Sequence, residues 1–172
     1  MSVIIVIIVL VLMLAEAGVS MSNERELRAR GAVEPVDDVY AVMAWTYPAS
    51  FVIMAIEGAA RGGPSADVFA AGALVFGLGK AIKYWAIASL GRRWTFRVLV
   101  TPGMPLVTRG PYAWLRHPNY VGVIGEFLGG AMLLNASVTG PLVTLGFAYL
   151  LRRRIVIEDR ALGRDHTAPK GV

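Results

Sequence analysis

The sequence predicts an all-α fold, a polytopic membrane helical bundle of about five transmembrane helices. Of the 172 residues, 56% are hydrophobic and only 17% are charged, and the mean hydropathy is +0.58. An ordinary soluble domain has about a quarter of its residues charged. Apolar stretches near the roughly 17–25 residues that cross a bilayer recur between polar connections. We therefore expect a single membrane domain over residues 1–172.

Five apolar stretches account for the predicted spans. The first is an unbroken run from Val3 to Ala15, which reaches about residue 18 if Glu16 lies at the interface. A cleaved signal peptide is the alternative, because Ala15-Glu16-Ala17 has a small-residue cleavage pattern, although no Lys or Arg precedes the run. Pro48 lies in the second stretch, where a kinked span rather than a break is expected. The predicted spans are 2–18, 39–57, 67–90, 119–134 and 138–151.

The distribution of charge predicts the orientation. Of the 17 Lys and Arg residues, 14 lie in three stretches that fall on one side of the bundle, namely 18–38, 91–117 and 152–172. By the positive-inside rule this side is cytoplasmic and the N-terminus lies outside. The net charge of +5 suits an anionic leaflet, and a chain this apolar is not expected to bind nucleic acid. With no Cys and two His, no metal site is expected.

The stretch 106–120, LVTRGPYAWLRHPNY, concentrates polar and aromatic side chains between two apolar segments. Pro111 and Pro118 restrict the residues before them, so a short helical piece bounded by breaks is predicted. Pro118 suits the first turn of the next helix, which places His117 just outside its N-terminus. The free N–H groups and positive dipole at that end favour a carboxylate or another anionic ligand.

Two sets of charged residues each have two interpretations. Glu126 lies inside the fourth predicted span, as either a general base near a substrate or a structural partner of Lys80 or Lys83. The two lysines either snorkel towards an interface or line a polar cavity. Arg154 and Glu158 are four residues apart at the end of the last helix, where composition alone favours an exposed ion pair.

Two motifs resemble a known family. Leu-Val-Thr-x-Gly-x-Tyr followed by Arg-His-Pro-x-Tyr, within 106–120, is similar to the signature of the isoprenylcysteine carboxyl methyltransferase family, integral membrane enzymes that use S-adenosylmethionine. Arg154, followed four residues later by Glu158-Asp159, resembles the family's second signature, an arginine before Glu-Glu. In the tail, His166 stands about where the family's tyrosine-containing segment would continue.

The resemblance implies an S-adenosyl-L-methionine-dependent methyltransferase, similar to protein-S-isoprenylcysteine O-methyltransferase, in a bacterial inner or plasma membrane. Its catalytic region would span residues 91–165, with the C-terminus and the cofactor site in the cytoplasm. Arg154 would be the substrate residue and act in catalysis, together with Glu126 if that residue is the base. The residues implied to bind the cofactor are Met104, Pro105, Leu106, Val107, Tyr112, His117, Pro118, Asn119, Tyr120 and Glu158.

The chemistry of methyl transfer can be matched to these residues independently. The protein must hold the acceptor oxygen about 3–3.5 Å from the methyl carbon and exclude water. His117 and the helix N-terminus beside Asn119 could bind the methionine carboxylate, and Tyr120 could contact the adenosine or the sulfonium. Glu158 could accept from a ribose hydroxyl or the amino group. A carboxylate acceptor needs no base whereas a phenolic hydroxyl benefits from one, so Glu126 favours a hydroxyl.

The acceptor is expected to be a lipophilic small molecule or a prenylated substrate that enters from the membrane lipids. An isoprenylcysteine-type carboxylate and a long-chain polyketide or phenolic hydroxyl both fit. One alternative is N-methylation of a phospholipid or amine by a related kind of membrane enzyme. A small membrane transporter or a lipid-binding bundle is the non-enzymatic alternative, and neither would need an adenosine pocket. The sequence predicts no oligomeric state.

Overall fold

The computed structural model describes residues 1–163, and this part of the chain is helical, with no strand. Five long helices are joined by turns and by a long connection that contains two short 3-10 helices, Gly91–Arg93 and Gly110–Ala113. The predicted all-α class is confirmed, as is the short helical piece between two breaks. The long helices are α1 (Ser2–Ala29), α2 (Tyr40–Ala60), α3 (Ala66–Leu90), α4 (Pro118–Leu133) and α5 (Thr139–Ala161).

Three helical segments within the described residues are long and apolar enough to cross a membrane: Ser2–Ala29, Tyr40–Ala60 and Ala66–Arg93. These segments support an integral membrane protein. The helix α4 has 16 residues, or about 24 Å at 1.5 Å per residue, which is less than the roughly 30 Å of bilayer hydrocarbon. The number of five spans therefore stays a prediction.

The helix α1 is longer than predicted. It continues past residue 18 to Ala29, so about half of the polar stretch 18–38 is helical. Glu16, whose interfacial position was the condition for extending the first span to residue 18, is only 5% exposed. Its carboxylate oxygens lie 2.8 Å from Lys80 Nζ and 2.6 Å from Lys83 Nζ. The two ammonium groups compensate the charge of the Glu16 carboxylate, which offsets the cost of its burial.

Glycines set the contact between α3 and α4. A Cβ at Gly79 would lie 2.8 Å from the carbonyl oxygen of Gly122, and a Cβ at Gly129 would lie 2.3 Å from the backbone nitrogen of Phe76. Gly125 and Gly129, spaced four residues apart on α4, both pack on α3. Close approach of two backbones is how helices associate in lipid, where burial of apolar surface gives no driving force.

The helix α5 is held at both ends. At its N-terminus, the Glu57 carboxylate accepts hydrogen bonds from the backbone N–H of Val138 at 3.0 Å and of Thr139 at 2.7 Å. In the middle, the ring of Phe147 packs against that of Phe127 of α4 at an interplanar angle of 49°, with centroids 4.7 Å apart. The C-terminal half continues as one helix to Ala161, as predicted. This continuity places the second signature beside the start of α4.

Ion pairs bring the three basic stretches to one end of the bundle. Arg97 Nη1 of the long connection lies 2.6 Å from Glu34 Oε1, and Arg97 Nε lies 3.5 Å from Glu24 Oε2. Arg154 Nη1 of α5 lies 3.1 Å from Asp38 Oδ1. The charge distribution predicted this common end, and its cytoplasmic location stays a prediction.

Candidate active site

A cavity of about 280 Å³ lies at this end of the bundle. All five long helices contribute to its wall, and the connection 94–100 supplies a continuous strip of lining residues. Apolar side chains such as Met43, Val123 and Leu151 form part of the wall. The volume is near the lower end of the about 300–1,000 Å³ that is usual for small-molecule sites. The cavity can therefore hold a small ligand that has both apolar and polar parts.

Tyr120 joins the start of α4 to the end of α5. Because Pro118 begins α4, Tyr120 lies in the first helical turn, where its hydroxyl meets α5. The hydroxyl donates to Glu158 Oε2 at 2.6 Å and accepts from Arg154 Nε at 2.9 Å. His117, at the N-cap, stacks on the Tyr120 ring with centroids 5.4 Å apart. Residues of the two sequence signatures thus form one cluster.

His117 lies between two carboxylates. Its Nδ1 is 3.5 Å from Glu158 Oε2, and its Nε2 is 3.2 Å from Asp159 Oδ1. Burial acts to lower the pKa of His117, but the hydrogen bonds and charges of the two acids outweigh it and raise the pKa above 6.5. Burial acts to raise the pKa of Glu158, but its contacts with His117 and Tyr120 lower it below 4.5. The pair therefore favours the imidazolium and the carboxylate.

Arg154 is 5% exposed, so the interpretation as an exposed ion pair is wrong. Its Nη1 pairs with Asp38 Oδ1, and its Nη2 donates to the carbonyl of Phe96. The other oxygen of Asp38 accepts from the backbone N–H of Val98 at 3.0 Å. Asp38 thus fixes both the guanidinium and the strip 94–100. No pattern in the sequence indicated this role, because Asp38 stands in a stretch with several other acids.

One buried polar atom in the cavity wall supports the fit of the implied cofactor. Asn119 lines the cavity, and its buried side-chain oxygen has no hydrogen-bond partner among the described residues. A buried acceptor left unpaired costs about 1–3 kcal/mol, which a ligand N–H or O–H would recover. Tyr112, Tyr120 and Glu158 line the same cavity. His117 stacks on the Tyr120 ring and does not line the cavity. It would therefore act on a ligand only through its charge.

The predicted cofactor residues before Tyr112 lie elsewhere. Pro105, Leu106 and Val107 line a second cavity of about 310 Å³. Arg93 and Leu90 line both cavities, and Arg93 Nη1 donates to the carbonyl of Pro105 at 2.6 Å. Met104 lines neither of them. Of the predicted cofactor residues, four thus line the first cavity and three line the second, whereas Met104, His117 and Pro118 line neither.

Glu126 is completely buried and lies between the two lysines. Its Oε1 is 3.2 Å from Lys80 Nζ and 3.4 Å from Lys83 Nζ, and the hydroxyl of Tyr47 donates to its other oxygen. Both lysines are buried, which contradicts the snorkelling interpretation. The geometry fits the structural pairing, and the role of Glu126 as a base stays a prediction. Glu126 does not line the 280 Å³ cavity, whereas Tyr47 and Lys83 do.

The model of the isoprenylcysteine carboxyl methyltransferase family matches residues 71–164, which is more than half of the chain. The chain belongs to this family. The matched region begins inside α3 and contains all the site residues predicted from the sequence. The resemblance noted in the sequence is thereby confirmed, and the protein is placed among methyltransferases. His166, in the tail, lies outside the described residues.

Relatives of this family member come from bacteria and from an insect. The uncharacterized protein YpbQ of Bacillus subtilis is 35% identical over 148 residues, which cover 86% of this chain and 88% of that protein. The protein-S-isoprenylcysteine O-methyltransferase of Tribolium castaneum is 33% identical over 87 residues, 49% of this chain and 31% of the insect protein. An uncharacterized protein of Haemophilus influenzae is 23% identical over 153 residues, 88% of each chain. No solved structure matches.

Three residues that border this family's site were not predicted from the sequence. Glu16, Asp38 and Tyr47 lie before the region that the family model matches. Glu16 and Tyr47 line the cavity, and Asp38 holds Arg154. The N-terminal helices therefore complete the wall of a site whose signatures lie in the second half of the chain.

Proposed function

We propose that the protein is an S-adenosylmethionine-dependent O-methyltransferase whose acceptor is a lipophilic molecule from the bilayer. The observation that carries the proposal is the convergence of both signatures on one cavity. Asn119 and Tyr120 come from the first signature, and Arg154 and Glu158 come from the second. The Tyr120 hydroxyl bonds to both residues of the second signature. We also propose that this end of the bundle faces the cytoplasm of a bacterial cell, as the basic stretches indicate.

The polar cluster would hold S-adenosylmethionine, which supplies a methyl group already activated on a sulfonium. Glu158 is ionised at neutral pH and can accept from a ligand hydroxyl or ammonium group. Asn119 offers the unpaired buried oxygen described above. The positive end of the α4 dipole, beside Asn119, would attract the carboxylate of the cofactor.

Arg154 would orient the acceptor oxygen. Its guanidinium has five N–H donors, and three of them have partners among the described residues. The remaining donors can hold the oxygen that receives the methyl group. An arginine stabilises an ionised oxygen, whether that of a carboxylate or that of a phenol or enol. The buried position of Arg154 keeps water away from the reacting atoms.

The wall of the cavity suits the apolar part of the acceptor. Met13, Met43 and Phe147 contribute to this wall from three different helices. An isoprenylcysteine-type carboxylate, the substrate class in the name of the Tribolium relative, and a long-chain phenolic or polyketide hydroxyl both fit this chemistry. The proposal therefore covers both classes of oxygen acceptor.

The test is calorimetric titration of S-adenosylmethionine into detergent-purified protein, followed by transfer of a radiolabelled methyl group. Acceptors would include S-farnesylcysteine derivatives and long-chain alkylphenols. We expect saturable cofactor binding and transfer to at least one acceptor class. A folded protein that binds no S-adenosylmethionine, with or without lipid and acceptors, would refute the proposal and favour a transporter or a lipid-binding bundle.

A further inference from the structure

A buried network of four charged side chains lies deeper in the bundle than the Tyr120 cluster. Glu16 from α1 and Glu126 from α4 each contact both Lys80 and Lys83 from α3. Two carboxylates and two ammonium groups give the network no net charge when all are ionised. Tyr47 from α2 donates to Glu126, so four helices meet at this point. We call these five residues the polar floor.

The packing of α3 against α4 fixes the polar floor relative to the site above it. A Cβ at Gly122 would lie 2.8 Å from the Cβ of Lys83, so α3 and α4 are in backbone contact there. Glu126 follows Tyr120 by six residues, which corresponds to about 9 Å along the helix axis. Glu126 therefore lies one to two helical turns farther along α4 than Tyr120.

The polar floor opens onto the same cavity as the candidate active site. Glu16, Lys83 and Tyr47 line that cavity together with Tyr120 and Arg154. A cavity meant only for a hydrocarbon chain would gain nothing from an ammonium group and a carboxylate in its wall. Replacing a buried ion pair by apolar residues is often neutral or stabilising, so the fold alone does not account for the network. Ionisable residues at membrane depth commonly mark functional sites.

Lys83 has a hydrogen-bond donor to spare. An ammonium group has three N–H donors. Within the described residues, Lys83 Nζ contacts Glu16 Oε2 at 2.6 Å and Glu126 Oε1 at 3.4 Å, and it lies 5.6 Å from the centroid of the Tyr47 ring. One donor is thus available to an oxygen in the cavity. Lys80 has the same two acids as partners but does not line the cavity.

We propose that Lys83, oriented by Glu16, donates a hydrogen bond to a second oxygen of the acceptor. This inference rests on the proposed function and narrows its substrate class. The acceptor would carry one oxygen that receives the methyl group near Arg154 and another on its membrane side. An acceptor that is hydrocarbon beyond the methylated oxygen would leave Lys83 with an unmatched donor and would be a poor substrate.

The test compares acceptors that differ by one polar group. One pair is a long-chain 5-alkylresorcinol and the matching 3-alkylphenol, and the other is N-acetyl-S-farnesylcysteine and S-farnesylthiopropionic acid. In the series that the wild type methylates, kcat/KM should favour the two-group acceptor by about 10-fold or more, as expected for a hydrogen bond to a charged donor. Binding of each acceptor in the presence of S-adenosylhomocysteine should show the same preference.

The variants separate recognition from stability. Lys83→Met and Lys80→Met each remove one ammonium group from the network, so the two variants have the same net charge and both keep Glu16. The Lys83 variant should lose the preference between paired acceptors and keep its affinity for S-adenosylmethionine. The Lys80 variant should keep both, and the melting temperatures of the two variants should be similar.

Three results would overturn the inference. The first is that the wild type shows no preference within either pair of acceptors. The second is that the two lysine variants change the preference equally, and the third is that the two-group acceptors do not bind. Each result is compatible with normal binding of S-adenosylmethionine, in which case the proposed function survives. A wild type that binds no S-adenosylmethionine would overturn both the inference and the proposed function.

Discussion

The substitution Glu158→Gln tests whether the acidic end of α5 forms part of a cofactor site. The Glu158 carboxylate lines the cavity, accepts from Tyr120 at 2.6 Å and is 28% exposed. A hydrogen bond to a charged group contributes about 1.5–3 kcal/mol. At about 1.4 kcal/mol per factor of ten, losing one such bond to the cofactor should weaken binding roughly 10- to 150-fold. Calorimetric titration of S-adenosylmethionine measures this change directly.

Asp159→Asn is the matched control for that substitution. Asp159 Oδ1 lies 3.2 Å from His117 Nε2, so either variant removes one negative charge beside the imidazole. Only Glu158 lines the cavity. We expect Asp159→Asn to change the affinity by less than about 3-fold, the effect of a partly exposed ion pair. Equal affinities of the two variants for S-adenosylmethionine would refute a direct role of Glu158, provided that thermal denaturation shows both variants to be folded.

Three other substitutions probe charge, packing and the acceptor end. His117 has a raised pKa, so its imidazolium stabilises the fold below the unfolded pKa of about 6.5, and this contribution disappears as pH rises through the folded pKa. The melting temperature of His117→Gln should therefore fall furthest below that of the wild type near pH 5.5 and converge with it by about pH 9; a constant gap would contradict the assignment. Gly79→Ala places a Cβ 2.8 Å from a backbone oxygen of α4 and should destabilise the protein by about 1–3 kcal/mol. Gly77→Ala is the control, because a Cβ there would meet nothing within 4 Å. Thermal denaturation in detergent measures both, and equal stability of the two variants would contradict the close packing of α3 on α4. Asp38→Asn should raise the acceptor KM about 10-fold by releasing Arg154 and leave the affinity for S-adenosylmethionine nearly unchanged; an unchanged KM in transfer assays would contradict this positioning role.

Local rules predicted the part of the site that depends on local geometry. Pro118 fixes where α4 begins, and from that start His117 becomes the N-cap and Tyr120 falls in the first turn. Continuation of the last helix beyond its apolar part places Arg154 and Glu158 on one face. These statements need only helical periodicity and the absence of a proline N–H. The contact between the two segments came from a resemblance to a family, not from spacing.

Long-range pairing was the part that local rules could not predict. The first span was extended to residue 18 on the condition that Glu16 lies at the interface, because a carboxylate is costly at membrane depth. Its burial depends on two lysines 64 and 67 residues away, which no window of the sequence contains. Asp38 is similar, because it pairs with an arginine 116 residues later. The extension of α1 to Ala29 likewise depends on hydrogen bonds to residues far along the chain.

Polar residues of α1 explain why that helix continues beyond its apolar part. Ser20 accepts from the backbone N–H of Phe96 at 2.8 Å, and Asn23 donates to the carbonyl of Trp94 at 2.8 Å. Both side chains are buried, so the strip 94–100 obtains hydrogen bonds that a free connection would take from water. The polar half of α1 is therefore helical because it satisfies the backbone that covers the cavity.

The Tyr120 hydroxyl gives the proposed cofactor and acceptor ends a common hydrogen-bond chain. Arg154 donates to this hydroxyl, which in turn donates to Glu158. The orientations of the guanidinium and of the carboxylate are therefore coupled through the Tyr120 hydroxyl. A ligand that orders Glu158 would also order Arg154, and by linkage an acceptor bound at Arg154 would favour the same cofactor-bound arrangement. Asp38 and the Phe96 carbonyl hold the other side of the guanidinium. The second signature of the family, an arginine four residues before an acid, thus has a physical basis in this chain: one turn of α5 presents both groups to a single tyrosine.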